Sequence, residues 1–210
     1  MRKIKHTTIA SILVIVFGIG LFALGTDGFR AYTAEAARVL ELNKTNPLFS
    51  NATLEDSTGT TYSISEFEGK YVLITFIYAS CGTFCPQLEM NMAEIYDKLP
   101  SSYVGEEIIF LSITFDTVRD TVDVLKKYRG YFDKEESSWR MARIPDQKEL
   151  DTLLEAFGVI VIPDDSGNFT HNGAFYFVDR EGRLIEVMNY AEIDQAVGKI
   201  TTRIERDKGA

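Results

Sequence analysis

Two cysteines, the only two in 210 residues, stand four apart in Cys81-Gly-Thr-Phe-Cys85-Pro86. An apolar run at residues 71–78 precedes them, and a helical pattern from Pro86 to about Leu99 follows. A strand, a tight loop and a helix in that order put both sulfurs at a helix N-terminus. Unpaired backbone N–H groups and the helix dipole there favour thiolate over thiol. Pro86 suits the first helical position, where no N–H is needed. A structural disulfide or two small core side chains would be the ordinary use of such a pair. Core cysteines, however, rarely sit four apart on a loop that opens a helix. The pair points to redox chemistry, to a soft metal, or to both.

A second feature lies at the N-terminus. Arg2, Lys3 and Lys5 precede twenty residues, Thr7 to Thr26, that carry no charge and are dense in Ile, Val, Leu and Phe. At helical rise that length crosses a bilayer core. Positive residues before it and Asp27 after it predict a single-pass segment in the cell membrane, with a cytoplasmic N-terminus and the body outside the cytoplasm. The competing reading is a cleaved signal peptide. The run is longer than a usual signal core, and the nearest small-x-small site, Ala34-Glu-Ala36, lies well past its end. No cysteine directly follows the run, which argues against a lipid-modified terminus. The expected organisation is an anchor over 1–26, a tether over 27–46 and one domain over 47–210. Outside the cytoplasm thiols tend to oxidise, so the pair needs a reductant or a metal to stay in use.

Charge narrows the partners. The chain carries −9 in all, and because the first 26 residues hold three bases and no acid, the rest carries −12. An acidic body argues against nucleic acid and against anionic headgroups as partners.

Along the body, residues 48–55 and 60–63 alternate around Asp56-Ser-Thr-Gly59 and predict a β-hairpin. The apolar run at 71–78 reads as a strand covered on both faces. The helix 86–99 carries Leu88, Met92, Ile95 and Leu99 at helical spacing, so Met92 reads as core rather than as a metal ligand. A second buried strand follows at 108–113, then helices at 122–131 and 147–157. An extended stretch at 159–162, a loop at 163–167, His171, strands at 174–178 and 184–188 and a last helix at about 191–206 complete the chain. Trp139 reads as core or sheet-edge packing, and Asp164-Asp165 as a solvated pair of acids. This order predicts an α/β fold: a thioredoxin-like mixed sheet flanked by helices, with an N-terminal β-hairpin and an N-terminal transmembrane helix. Ligands of such sheets sit beyond the carboxyl ends of the strands, where Cys81 and Cys85 are expected.

The body has one histidine, His171. A lone histidine before a strand is usually a surface or hydrogen-bonded residue. Here the loop that carries it would enter the final hairpin near the sheet end that bears the cysteines. Two thiolates and one imidazole make a three-coordinate site. Soft thiolates select Cu(I), and the imidazole keeps Cu(II) tolerable. Zinc would normally want a fourth ligand or a water.

The segment Thr75-Phe-Ile-Tyr-Ala-Ser-Cys81-Gly-Thr-Phe-Cys85-Pro86 resembles the copper motif of the Sco/SenC proteins. Ser112-Ile-Thr-Phe-Asp116-Thr-Val-Arg119-Asp120-Thr121 is similar to their DPxRDT segment, and His171-Asn-Gly-Ala-Phe-Tyr-Phe-Val-Asp179-Arg-Glu-Gly182 to their histidine, strand and D-x-x-G turn. The resemblance runs from about Leu48 to the last helix. It implies copper bound through Cys81, Cys85 and His171. It implies a role in assembling the dinuclear copper centre of cytochrome c oxidase, as copper donor or as reductant of that centre's cysteines. The partners would be the oxidase copper-centre subunit and an upstream copper chaperone or thiol reductant. Asp116 matches an acidic position near the family's copper site, where it would support the ligands from behind or touch a partner. Two departures stand out: Thr117 replaces the usual proline, and Gly82-Thr-Phe84 lacks the charged residue often found between the thiols.

A metallochaperone needs His171. A thiol–disulfide oxidoreductase with Cys81 and Cys85 as its redox thiols does not, and by fold analogy it would carry two residues, not three, between the cysteines. A thiol peroxidase, for which Arg119 is the candidate arginine, ranks third.

Overall fold

The computed structural model describes residues 6–26, 28, 33–49, 52–132 and 134–209. It divides into two compact units, residues 1–45 and 46–210. The first holds α1 (His6–Gly25) and α2 (Ala34–Thr45). The span Thr8–Gly25 of α1 is long and apolar enough to cross a membrane. Arg2, Lys3, Lys5 and Asp27, on which the predicted orientation rests, lie outside the described residues. The stretch expected to be a tether is helical over α2, where Glu35 and Arg38 pair one turn apart.

The second unit begins with the expected hairpin, β1 (Thr53–Asp56) and β2 (Thr61–Ser63). Asp56 closes its turn by accepting from the Thr58 and Thr60 amides at 2.9 and 3.0 Å. Gly59 takes φ +84 there, a conformation L side chains rarely adopt. β3 (Tyr71–Ile77) and β4 (Ile108–Thr114) follow, parallel and in continuous register from Tyr71 opposite Ile108 to Ile77 opposite Thr114. Every residue of both strands is buried. That explains their unbroken apolar runs, since each buried Leu, Ile or Phe contributes about 1.5–3 kcal/mol.

Between them lies α3 (Phe84–Lys98), which starts two residues before Pro86. Pro86 is therefore the third helical residue, not the first, which the first turn also tolerates because its N–H groups have no intrahelical partner. Met92 is fully buried and Met90 is exposed, as the helical spacing implies.

A strand absent from the sequence expectation comes next. β5 (Trp139–Arg143) follows α4 (Val122–Arg129) and lies parallel to β4, with β1 antiparallel on its other side. Its two arginines hid it. Arg140 covers the Tyr62 ring at 4.6 Å while pairing with Glu66, and Arg143 pairs with Glu55. Trp139 is core, donating its indole N–H to Ser112 Oγ at 3.0 Å.

After α5 (Gln147–Ala156), capped by Asp146 on the Glu149 amide at 2.9 Å, the chain forms β6 (Val161–Pro163) and β7 (Phe169–His171). Among the described residues these pair only with each other, as a two-stranded sheet. His171 was expected on a loop and instead ends β7. β8 (Phe175–Val178), β9 (Leu184–Met188) and α6 (Ile193–Lys208) complete the unit, with α6 packed on α3. The main sheet runs β2-β1-β5-β4-β3-β8-β9. β8 is antiparallel to β3, so its N-terminal end lies at the carboxyl end of β3, beside the loop that holds Cys81.

Candidate metal centre

The carboxyl ends of β3 and β4 and the amino end of β8 form one rim, and three loops converge on it. The first holds the thiols. Cys81 lies in the loop and Cys85 in the first turn of α3. The cap residue Thr83 makes no side-chain bond, and Cys81 Sγ takes that place, accepting the Cys85 N–H at 3.3 Å. The sulfur satisfies one of the orphan donors of the helix start.

That contact separates the two thiols chemically. Burial raises the Cys81 pKa, but the Cys85 and Thr83 amides and the Cys85 and Tyr78 side chains outweigh it and hold the thiol below its ordinary value. Cys85, fully buried, is pushed far up by burial, and the Cys81 sulfur adds to the shift. Cys81 is thus the more acidic of the two thiols and Cys85 the less acidic.

His171 arrives from 86 residues away. Its Nε2 lies 3.5 Å from Cys85 Sγ, and its Nδ1 lies 3.3 Å from the Asn172 carbonyl oxygen. A carbonyl only accepts, so Nδ1 carries the proton and Nε2 turns its lone pair to the thiol. Burial lowers the His171 pKa against the opposing pull of that carbonyl, which keeps the ring neutral at pH 7. Three aromatic rings surround the imidazole: Phe115 at 5.0 Å, Phe84 at 5.2 Å and Tyr78 at 6.2 Å between centroids. Phe84, one of the three residues between the cysteines, packs so close that a Cβ on Gly173 would lie 2.2 Å from its ring.

A neutral imidazole facing a thiol suits a metal ion, which would replace the thiol proton between sulfur and nitrogen. An ion with bonds of about 2.0–2.3 Å in a three- or four-coordinate site leaves its ligands close to that 3.5 Å apart. Among the described residues no three His, Cys, Asp or Glu side chains already converge as a cluster. Cys85 and His171 face each other, and Cys81 is engaged with the Cys85 amide.

Asp116 is placed differently from the thiols. Its buried carboxylate binds the Arg119 guanidinium and amide, and it makes no hydrogen bond to Cys81, Cys85 or His171 among the described residues. Asp120, quoted in the sequence motif but given no role, supports the thiol loop instead. It is buried and accepts from the Ala79 amide at 2.9 Å and from Thr114 Oγ1. Thr117, in the place of the usual proline, makes a 3.4 Å contact with Gln147. Glu89, one turn after Cys85, is fully buried with no hydrogen-bond partner for either oxygen among the described residues. Burial pushes its carboxyl up to about 8, against an opposing influence of Ser112. Ser112 itself bonds Trp139 and Met92. Only the tertiary structure identifies it as buried, because an acid within a helix carries no such signal.

A model of the SCO1/SenC family matches residues 41–205. The chain belongs to the SCO1/SenC family. It is 25% identical over 202 residues to the human mitochondrial SCO1 homologue, covering 91% of this chain and 64% of the human protein. Its fold matches yeast Sco1 with copper bound at a TM-score of 0.64 and 25% identity, over 76% of this chain and 89% of that one. It matches BsSco, described as a Sco-family cytochrome c oxidase assembly protein with a disulfide switch, at 0.66 and 22%, over 76% and 95%. The thioredoxin-like mixed sheet flanked by helices is thus the fold of this Sco protein.

Proposed function

We propose that this chain is a membrane-anchored copper metallochaperone, binding its cargo through Cys81, Cys85 and His171 for assembly of the dinuclear copper centre of cytochrome c oxidase. The observation that carries the proposal is the approach of His171 Nε2 to Cys85 Sγ at 3.5 Å. A thiol–disulfide enzyme has no use for that imidazole. Soft Cu(I) takes the place of the Cys85 proton, with the Cys81 thiolate and the His171 lone pair completing the set. Three ligands leave the ion open to a partner's cysteines, so it passes by ligand exchange without free release. The apolar helix α1 is the proposed anchor, with the body on the outer face.

The test is anaerobic Cu(I) titration of the reduced protein against a competing chelator, beside His171→Ala. One tightly held copper, weakened on the order of tenfold to a hundredfold in the variant, is expected. Binding indifferent to His171, or none, overturns the proposal.

A second reading is favoured by the unequal thiols. The Cys81 thiolate attacks a partner disulfide, forming a mixed disulfide and releasing one partner thiolate. Cys85 then loses its proton and attacks Cys81, forming the Cys81–Cys85 bond and releasing the second. The partner gains two electrons, and this chain loses two. Under this reading His171→Ala leaves the reduction rate unchanged.

A further inference from the structure

His171 stands on an arm. β6 and β7 have no ladder partner in the seven-stranded sheet, so other contacts must hold the imidazole over the thiols. At the base, Asn172 accepts the Ile160 amide at 2.7 Å and donates to the Gly158 carbonyl at 3.1 Å. At the tip, Asp164 organises the turn by accepting the Ser166 and Asn168 amides at 2.8 and 2.7 Å, and Gly167 takes φ +78. The Gly167 carbonyl accepts from Arg119 Nη1, while Arg119 Nε holds Asp116. The same guanidinium lies 5.2 Å from the Phe169 ring and 6.0 Å from that of Tyr78. Phe169 in turn meets Tyr78 and Phe115, two of the rings around His171.

One side chain from the loop after β4 therefore ties the tip of the arm to the rim. A planar guanidinium can donate in two directions and stack at once, which an ammonium cannot. Its side chain is 41% exposed, against 6% for Asp116, so an approaching protein can reach it.

We propose that Arg119 is a positioning residue: it latches the β6–β7 arm so that His171 faces Cys85, and its release frees the imidazole without disturbing the thiols. This rests on the copper reading above. A partner that draws Arg119 to its own acidic groups would loosen the arm and leave copper on two thiolates, ready for exchange.

The experiment uses the full chain in detergent micelles, as Arg119→Gln and Phe169→Leu, each with His171 present and in a His171→Ala background. Phe169→Leu keeps the Asp116–Arg119 pair, so a shared effect is not that of an unpaired Asp116. In the copper-free reduced protein, hydrogen exchange at the amides of Val161, Ile162, Phe169, Thr170 and His171 should speed up on the order of tenfold, with β3 and β4 unchanged. Cu(I) affinity should fall on the order of tenfold with His171 present and not at all without it. Unchanged exchange in the arm, exchange that rises across the whole sheet, an unchanged affinity, or an equal fall in both backgrounds overturns the latch. Failure of the parent chain to bind Cu(I) overturns the metallochaperone reading instead, while the exchange data still judge the latch.

Discussion

A buried carboxyl with no partner, Glu89, makes the sharpest single-residue statement about pH. Its unfolded value is near 4.5 and its folded value about 8. Between those values the folded chain keeps a proton that the unfolded chain has lost, so stability falls as pH rises through this window and levels above it. At pH 7 the penalty is about 3 kcal/mol. Glu89→Gln, uncharged throughout, is expected to raise the melting temperature at pH 7 and to flatten its decline between pH 5 and 8. Thermal unfolding at several pH values measures this, and an unchanged slope would show that Glu89 is hydrated or paired. His171 is the other residue whose state matters. Burial favours its neutral form, the one the copper proposal requires, and the affinity loss expected in His171→Ala is the check on that role.

Among the elements, the segment joining β7 to β8 is the tightest. Gly173 lies against Phe84, where a Cβ would meet ring atoms at 2.2 and 2.5 Å. Gly173→Ala is expected to destabilise the chain by about 1–3 kcal/mol and to weaken copper binding, because Phe84 packs on His171 and sits next to Cys85. Phe84→Leu in the same chain should restore much of the stability, and denaturant unfolding of the two single variants and the double measures the coupling. If the second change restores nothing, the contact is not what fixes the glycine. The elements themselves were legible to different degrees. β3 and β4 announce themselves as unbroken apolar runs because both faces are covered. β5 does not, because Arg140 and Arg143 look like surface residues until Tyr62, Glu66 and Glu55 are found beside them. β6 showed in the sequence only as the extended stretch 159–162 and β7 not at all, because at three residues each they are too short for a period to show.

For the molecule as a whole, α1 is the part on which the proposed anchor rests. Leu13, Val14, Phe17 and Leu24 are all more than 60% exposed. Exposed apolar surface on that scale is costly in water and free in lipid. The full chain is expected to stay in the membrane fraction through alkaline carbonate extraction, and residues 46–210 expressed alone to be soluble and to unfold in one transition. Full-length protein in the wash, or an unfolded body, would contradict this division.

Features that depend on neighbours along the chain could be read from the residues alone. The apolar N-terminal run, the strand–CxxxC–helix unit and the buried parallel strands are local patterns that backbone geometry and burial translate directly into structure. The motifs around Cys81, Asp116 and His171 were legible as well, and they led to the SCO1/SenC family. Tertiary structure alone decided what depends on distant contacts. It placed His171 Nε2 at Cys85 across 86 residues, gave Asp120 rather than Asp116 the support of the thiol loop, and left Glu89 buried without a hydrogen-bond partner among the described residues. Those outcomes arise when separate elements pack, because desolvation and hydrogen-bond partners are properties of the assembled rim and not of any segment within it.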